Sequence, residues 1–180
     1  MLDAILEAWR AHEAISRHML DEIPDAGLAA IPLLKNGLPG KGRDVARQFE
    51  HLVDVRVAHF RAAEKALMKG IPNFEKGVSP SRRHLETALR ASSLGVEALF
   101  ARLVKSGELV RKRGPLMLLA YLISHESHHR GSMMLALKQN GCALSEALRW
   151  GIWGMWFEER EGGDTSSEQL LMGHGAPSDA

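Results

Sequence analysis

The chain has one cysteine, Cys142, in 180 residues. A lone thiol closes no disulfide within the chain, so a disulfide-stapled scaffold is excluded and a reducing compartment is expected. Long apolar runs are missing as well. The longest uncharged apolar stretch, 116–123, falls far short of the ~20 residues that span a bilayer. The N-terminus carries an acid at Asp3 and no apolar core of signal-peptide length. A soluble, cytoplasmic protein with no membrane partner is expected. Charge of one sign is also lacking, with 23 Lys and Arg against 22 Asp and Glu. Nucleic-acid binding shows as a basic stripe, and the nearest feature is the short run Arg111-Lys112-Arg113, which reads as an ordinary solvated turn. No nucleic-acid partner is expected. Strand-like alternation and internal repeats are absent too.

What remains is helical. At 45% hydrophobic, 180 residues suit one domain with a sizeable core. Leu2, Ile5, Leu6, Trp9, Met19, Leu20 and Ile23 recur at three-and-four spacing and predict a first helix that Pro24 stops. Residues 24–43 hold three Pro and four Gly and predict a long loop, of a length that often serves as a lid. A second helix is expected from its cap Asp44 to about Met68, closed by Gly70 and Pro72. Ser79 as cap and Pro80 at the first helical position open a third, which runs to Gly107. The fourth runs from Gly114-Pro115 to Asn140-Gly141, and a shorter fifth from about Ser145 to Glu159. The fold expected is all-α, a four-helix bundle over residues 1–160 with an additional short C-terminal helix. Residues 161–180, rich in Gly, Asp, Ser and Pro, are expected to form a disordered tail.

Histidine is plentiful, nine in all, and 125–131 reads His-Glu-Ser-His-His-Arg-Gly. His125 and His129 are four apart, so on a helix they stand one above the other and can grip one metal ion. Two imidazoles do not complete a site, and a bundle supplies further ligands from facing helices. The candidates are His51 and His59 on the second helix, His84 on the third, and His12 and His18 on the first. His51 is best placed, beside Phe49, Leu52 and Val53 near the middle third of its helix, whereas His84 sits in a first turn among arginines. Three neutral His with an open position are the donor set of a catalytic zinc site. Imidazole also suits nickel and iron, so the ligands do not select among divalent ions. The plain alternative is a set of polar core histidines bridged to one another.

The string His125-Glu126-Ser127-His128-His129-Arg130-Gly131-Ser132 resembles the HxxxHRGQ signature of the DinB/YfiT-like superfamily, with Ser132 where Gln is frequent. Phe49-Glu50-His51-Leu52-Val53-Asp54-Val55-Arg56 is similar to that family's first-ligand segment. The resemblance covers residues 1 to about 159 and implies a DinB-like bundle holding a divalent metal, zinc or nickel before iron, on His51, His125 and His129. His128, three residues from His125, is the other candidate on that face, and the resemblance favours His129. Some members of the superfamily resemble thiol-dependent S-transferases and others hydrolases. The function implied is a metal-dependent enzyme that activates water or a low-molecular-weight thiol against a small-molecule substrate. The alternative is a non-catalytic metal-binding or stress-responsive interaction protein. A homodimer is expected, the commonest arrangement for soluble proteins.

The same letters spell H-E-x-x-H, the zinc-protease pattern with Glu as general base. Ser132 and Leu135 stand where its longer form has Gly and His, although Glu158 or Glu159 could supply a ligand. Glu126 and Arg130 fit better as neighbours that orient a ligand or pair with each other four residues apart. Trp150, Trp153 and Trp156 of the fifth helix predict either a wall near the site or a packing or subunit contact.

Overall fold

The computed structural model describes residues 1–142 and 144–156. Its helices are α1 (Leu2–Glu22), α2 (Asp25–Leu28), α3 (Val45–Ala63), α4 (Arg82–Ser106), α5 (Pro115–Gln139) and α6 (Glu146–Gly154), with a 3-10 turn at Lys65–Met68. No strand occurs among the described residues, only the isolated bridges Leu33–Pro39 and Val110–Arg113. The four long helices form a bundle and α6 is the short helix after them, as expected.

Local chemistry explains most boundaries. The Asp44 carboxylate accepts from the Arg47 amide at 2.8 Å and caps α3. Gly114 and Pro115 open α5. α4 closes on Gly107 at φ 71, a left-handed cap that suits glycine. Three boundaries differ from expectation. The cap of α4 is Ser81, not Ser79, whose hydroxyl donates to Asp44 instead. α3 ends at Ala63 rather than Met68, because Glu64 is extended and the chain turns away to lie against α4. That approach depends on Gly95, where an added Cβ would stand 2.8 Å from the Leu67 carbonyl oxygen and 2.9 Å from the Phe60 ring. α6 ends at Gly154. Positions 157–159 of the expected fifth helix and the tail 161–180 lie outside the described residues.

Round the bundle the order is α1, α4, α3, α5, each packed on the next and α5 on α1, while α6 lies on α1. The long helices α1 and α3, successive in the chain apart from the short α2, are therefore diagonal, which accounts for the long 24–43 connection. It contains α2 and is fastened to the end of α5: the Leu33 amide donates to Gln139 Oε1 at 2.8 Å and Asn140 Nδ2 to the Ile31 carbonyl at 2.8 Å. It is thus a strap across one bundle end rather than a lid. The step from α4 to α5 has to cross the other diagonal, within residues 107–114.

The core falls into two apolar clusters. One gathers Met19, Leu20, Phe49, Leu52, Val53, Leu85, Leu89, Met133 and Leu137. The other gathers Ile5, Trp9, Phe60, Val96, Phe100, Leu118 and Leu122. Between them every long helix contributes buried polar groups: His12, Glu13 and Ser16 from α1, Arg56 from α3, Ser92 and Ser93 from α4, Glu126 and Arg130 from α5. Burying charge is costly unless each group is paired and hydrogen-bonded. Here Arg56 meets Glu126 through two bonds, Nε to Oε1 at 2.7 Å and Nη2 to Oε2 at 2.8 Å. Its Nη1 donates to the Leu89 carbonyl and to Ser92 Oγ. Burial alone would push the Glu126 carboxyl up, yet the Arg56 charge and bonds, with His12, hold it at about 2. Burial lowers the His12 pKa despite Glu126, so a neutral ring donates from Nε2 to Glu126 at 3.0 Å and offers Nδ1 to Arg130.

Candidate metal centre

α3 and α5 are neighbours in the bundle, and His51 of α3 faces His125 and His129 of α5. The ring centroids lie 5.4 Å (His51–His125), 4.8 Å (His51–His129) and 4.7 Å (His125–His129) apart. One nitrogen from each of the three falls within 4.8 Å of the others, and all three rings are half-buried. These are the three histidines named from sequence. His128 is exposed, its ring 5.4 Å from His129 and outside the group.

The other described histidines go elsewhere. His12 belongs to the buried polar layer and His59 is buried against Tyr121, with ring centroids 5.5 Å apart. His84 stacks on Phe74 at 5.0 Å, and the His18 Nε2 lies near Gly151 of α6.

The three rings are electrostatically suited to ligation, which requires neutral imidazole. Burial lowers the His51 pKa, helped by Arg43 and His125 and opposed by Asp54. Burial lowers His125 as well, with Glu126 opposing. His129 falls to about 4 through burial and then the charges of His125, His51, His128 and Arg43. The His125 Nδ1 is cut off from solvent and has no hydrogen-bond partner among the described residues. A buried polar nitrogen left unmatched is costly, and a coordinated cation would satisfy it. The residues present therefore fit a divalent metal ion, and their half-exposure leaves room for further ligands.

Glu126 and Arg130 depart from the roles expected of them. The Glu126 side chain is fully buried and bonds Arg56 and His12, not Arg130. Arg130 donates to Ser127 Oγ at 2.8 Å and Ser16 Oγ at 3.2 Å. Successive helical residues point about 100° apart, so Glu126 turns into the core while His125 faces the site. A carboxylate clamped there has no route to the triad, which removes the general base that the protease pattern requires. Glu158 and Glu159 lie outside the described residues. Trp156 is half-buried near His12, its ring 6.5 Å away, whereas Trp150 and Trp153 are exposed. A Cβ added at Gly131 would meet nothing within 4 Å.

Sequence reasoning gave no role to the residues flanking the centre. Tyr121 stacks on His125 at 5.7 Å and 22°. The Arg113 guanidinium lies 5.4 Å over the Tyr121 ring. Arg43 depresses His51 and His129 from the start of α3. Only Tyr121 had a trace in the sequence, four residues before His125 on the same helical face.

Fold and site together define an all-α helical bundle with a group of three histidines able to hold a metal ion. The DinB family model matches residues 1–147, and the chain belongs to the DinB family. No curated protein and no solved structure matches it. No helix of the described residues is long and apolar enough to cross a membrane.

Proposed function

We propose that the protein is a metal-dependent enzyme acting on a small molecule, as a hydrolase or a thiol S-transferase. His51, His125 and His129 would hold a divalent ion, zinc or nickel before iron. The observation that carries this reading is the half-buried set of three neutral imidazoles whose nitrogens lie within 4.8 Å of one another. When bound, the ion supplies Lewis acidity, which makes water or a low-molecular-weight thiol nucleophilic at neutral pH.

The chain's own residues supply position and surroundings. The Arg56–Glu126 pair joins the two helices that carry the ligands, five residues beyond His51 and one beyond His125, and so sets the axial register at which the three rings meet. Glu126, locked in the core by Arg56 and His12, does not take the general base role at the triad. The described residues include no sheet edge for an extended peptide, which supports a small substrate. A cytoplasmic homodimer completes the reading.

Elemental analysis of the untagged protein tests it against His51→Ala and His129→Ala. About one equivalent of metal in the wild type, lost in both variants, is expected. Metal kept in His51→Ala would give the third position to another ligand. No metal in any sample after reconstitution with zinc and nickel would leave a non-catalytic interaction protein.

A further inference from the structure

We propose that His59, Tyr121 and the turn Arg111–Arg113 form an anion-binding subsite beside the three-histidine centre, which takes the carboxylate or phosphate group of the substrate. This rests on the reading of that centre as the reacting site.

The turn lies in the short diagonal step from α4 to α5. The Val110 amide donates to the Arg113 carbonyl at 3.0 Å and the Arg113 amide to the Val110 carbonyl at 2.9 Å. The two residues between them, Arg111 at φ 49 and Lys112 at φ 65, are left-handed, and no other non-glycine residue is so among the described residues. Two-residue turns of this kind favour Asn-Gly, because a side chain is crowded in this region. Strain of this sort is concentrated where a position is put to use. Here it places two guanidinium groups beside His59 and Tyr121. Arg111 Nη2 reaches the Ala58 carbonyl on α3 at 3.4 Å, and Arg113 lies over Tyr121.

His59 is the second, independent observation. It is 3% exposed, and its Nδ1 is shut off from water with no hydrogen-bond partner among the described residues. The two rings, His59 and Tyr121, meet edge-on at 5.5 Å, so an anion would sit beside them under the guanidinium groups rather than between them, and there it would match that atom. The Tyr121 hydroxyl makes no hydrogen bond among the described residues, and the residue is 37% exposed. Phenol, imidazole and two guanidinium groups together are a donor set for an anion. No described carboxylate pairs with Arg111, Lys112 or Arg113. Of the two carboxylates acting on the triad, Glu126 at His125 is held in the core by Arg56, and Asp54 at His51 is five residues from His59 and so about 140° round α3. The positive charges of Arg111 and Arg113 reach His59, where after burial they help lower its pKa to about 4.

The arrangement also bounds substrate size. Tyr121 precedes His125 by four residues, about 6 Å along the axis. A substrate reacting at the triad therefore carries its anionic group only a few bonds from the reacting atom.

The test is an NMR titration of zinc-loaded and metal-free protein with succinate and, separately, inorganic phosphate, at constant ionic strength in chloride. Wild type is compared with Arg111→Gln, Arg113→Gln, Arg113→Lys and the distant surface variant Arg90→Gln. Saturable binding of either anion is expected at Tyr121 and His59. It should be at least tenfold weaker in both Gln variants, partly restored in Arg113→Lys and unchanged in Arg90→Gln. The tighter anion identifies the substrate group as carboxylate or phosphate. Zinc bound at one equivalent without saturable anion binding, or equal affinity in all variants, overturns the subsite and leaves the metal reading standing. Arginine-dependent anion binding to a protein that takes up no metal keeps the subsite and overturns the metal reading.

Discussion

Removing Arg56 tests the proposed role of the buried layer most directly. Its guanidinium is fully buried, makes two bonds to Glu126, two to α4 and lies 4.8 Å from the Trp9 ring centroid. Arg56→Met keeps much of the side-chain volume but leaves Glu126 with only His12 as hydrogen-bond partner. Breaking a buried pair from one side costs about 3–5 kcal/mol, a fifth or more of the ~5–15 kcal/mol by which domains are stable. The pH dependence separates this from simple repacking. In the wild type the Glu126 pKa is about 2, below the ordinary 4.5. Its contribution is present above pH 4.5 and lost as pH falls toward 2, with a span of about 3 kcal/mol. Without Arg56, burial prevails and the pKa rises above 4.5, so protonation on acidification relieves the folded state. Urea unfolding at pH 7 and pH 4 should therefore show the deficit of Arg56→Met shrinking at the lower pH. In the double variant Arg56→Met/Glu126→Gln much of the loss at pH 7 should return, as a coupling of at least ~1.5 kcal/mol. A deficit below about 1 kcal/mol that does not change with pH would refute the reasoning.

Three further outcomes follow from particular contacts. Gly95→Ala places a Cβ 2.8 Å from a backbone oxygen, so thermal and urea unfolding should show a loss of about 1–3 kcal/mol. Gly131→Ala meets nothing within 4 Å inside α5 and should gain up to ~1 kcal/mol from helix propensity, with metal content unchanged. His59 is held near 4 against an ordinary 6.5, so the unfolded chain takes up its proton first. Wild-type stability from this group is full above pH 6.5 and falls between pH 6.5 and 4. His59→Asn should reduce that fall in metal-free protein by at most ~3 kcal/mol, measured by chemical unfolding across the window.

How much could be seen in advance depends on distance along the chain. The periodic apolar residues of the four long helices, the Asp44 cap, the Gly114-Pro115 start and the Gly107 stop are all local, and all reappear in the structure. The four-residue spacing of His125 and His129 is local in the same sense, and the resemblance to the DinB family extended it to His51. The Ser79 cap failed because Ser81 offers the same chemistry two residues on. The long second helix failed because its end depends on Gly95, far away on α4.

The sequence by itself determined which segments are helical, where most of them start and stop, and that two imidazoles share one face of α5, because backbone hydrogen bonding and helical periodicity act over four residues. Only the tertiary structure decided that Glu126 turns inward to Arg56, seventy positions away in the chain, that α1 and α3 lie on a diagonal, and that a strained basic turn ends beside Tyr121 and His59. Those outcomes depend on the order of helices round the bundle and their axial offset. Both are set by packing two apolar clusters about a layer of charge that is stable only when its groups are matched.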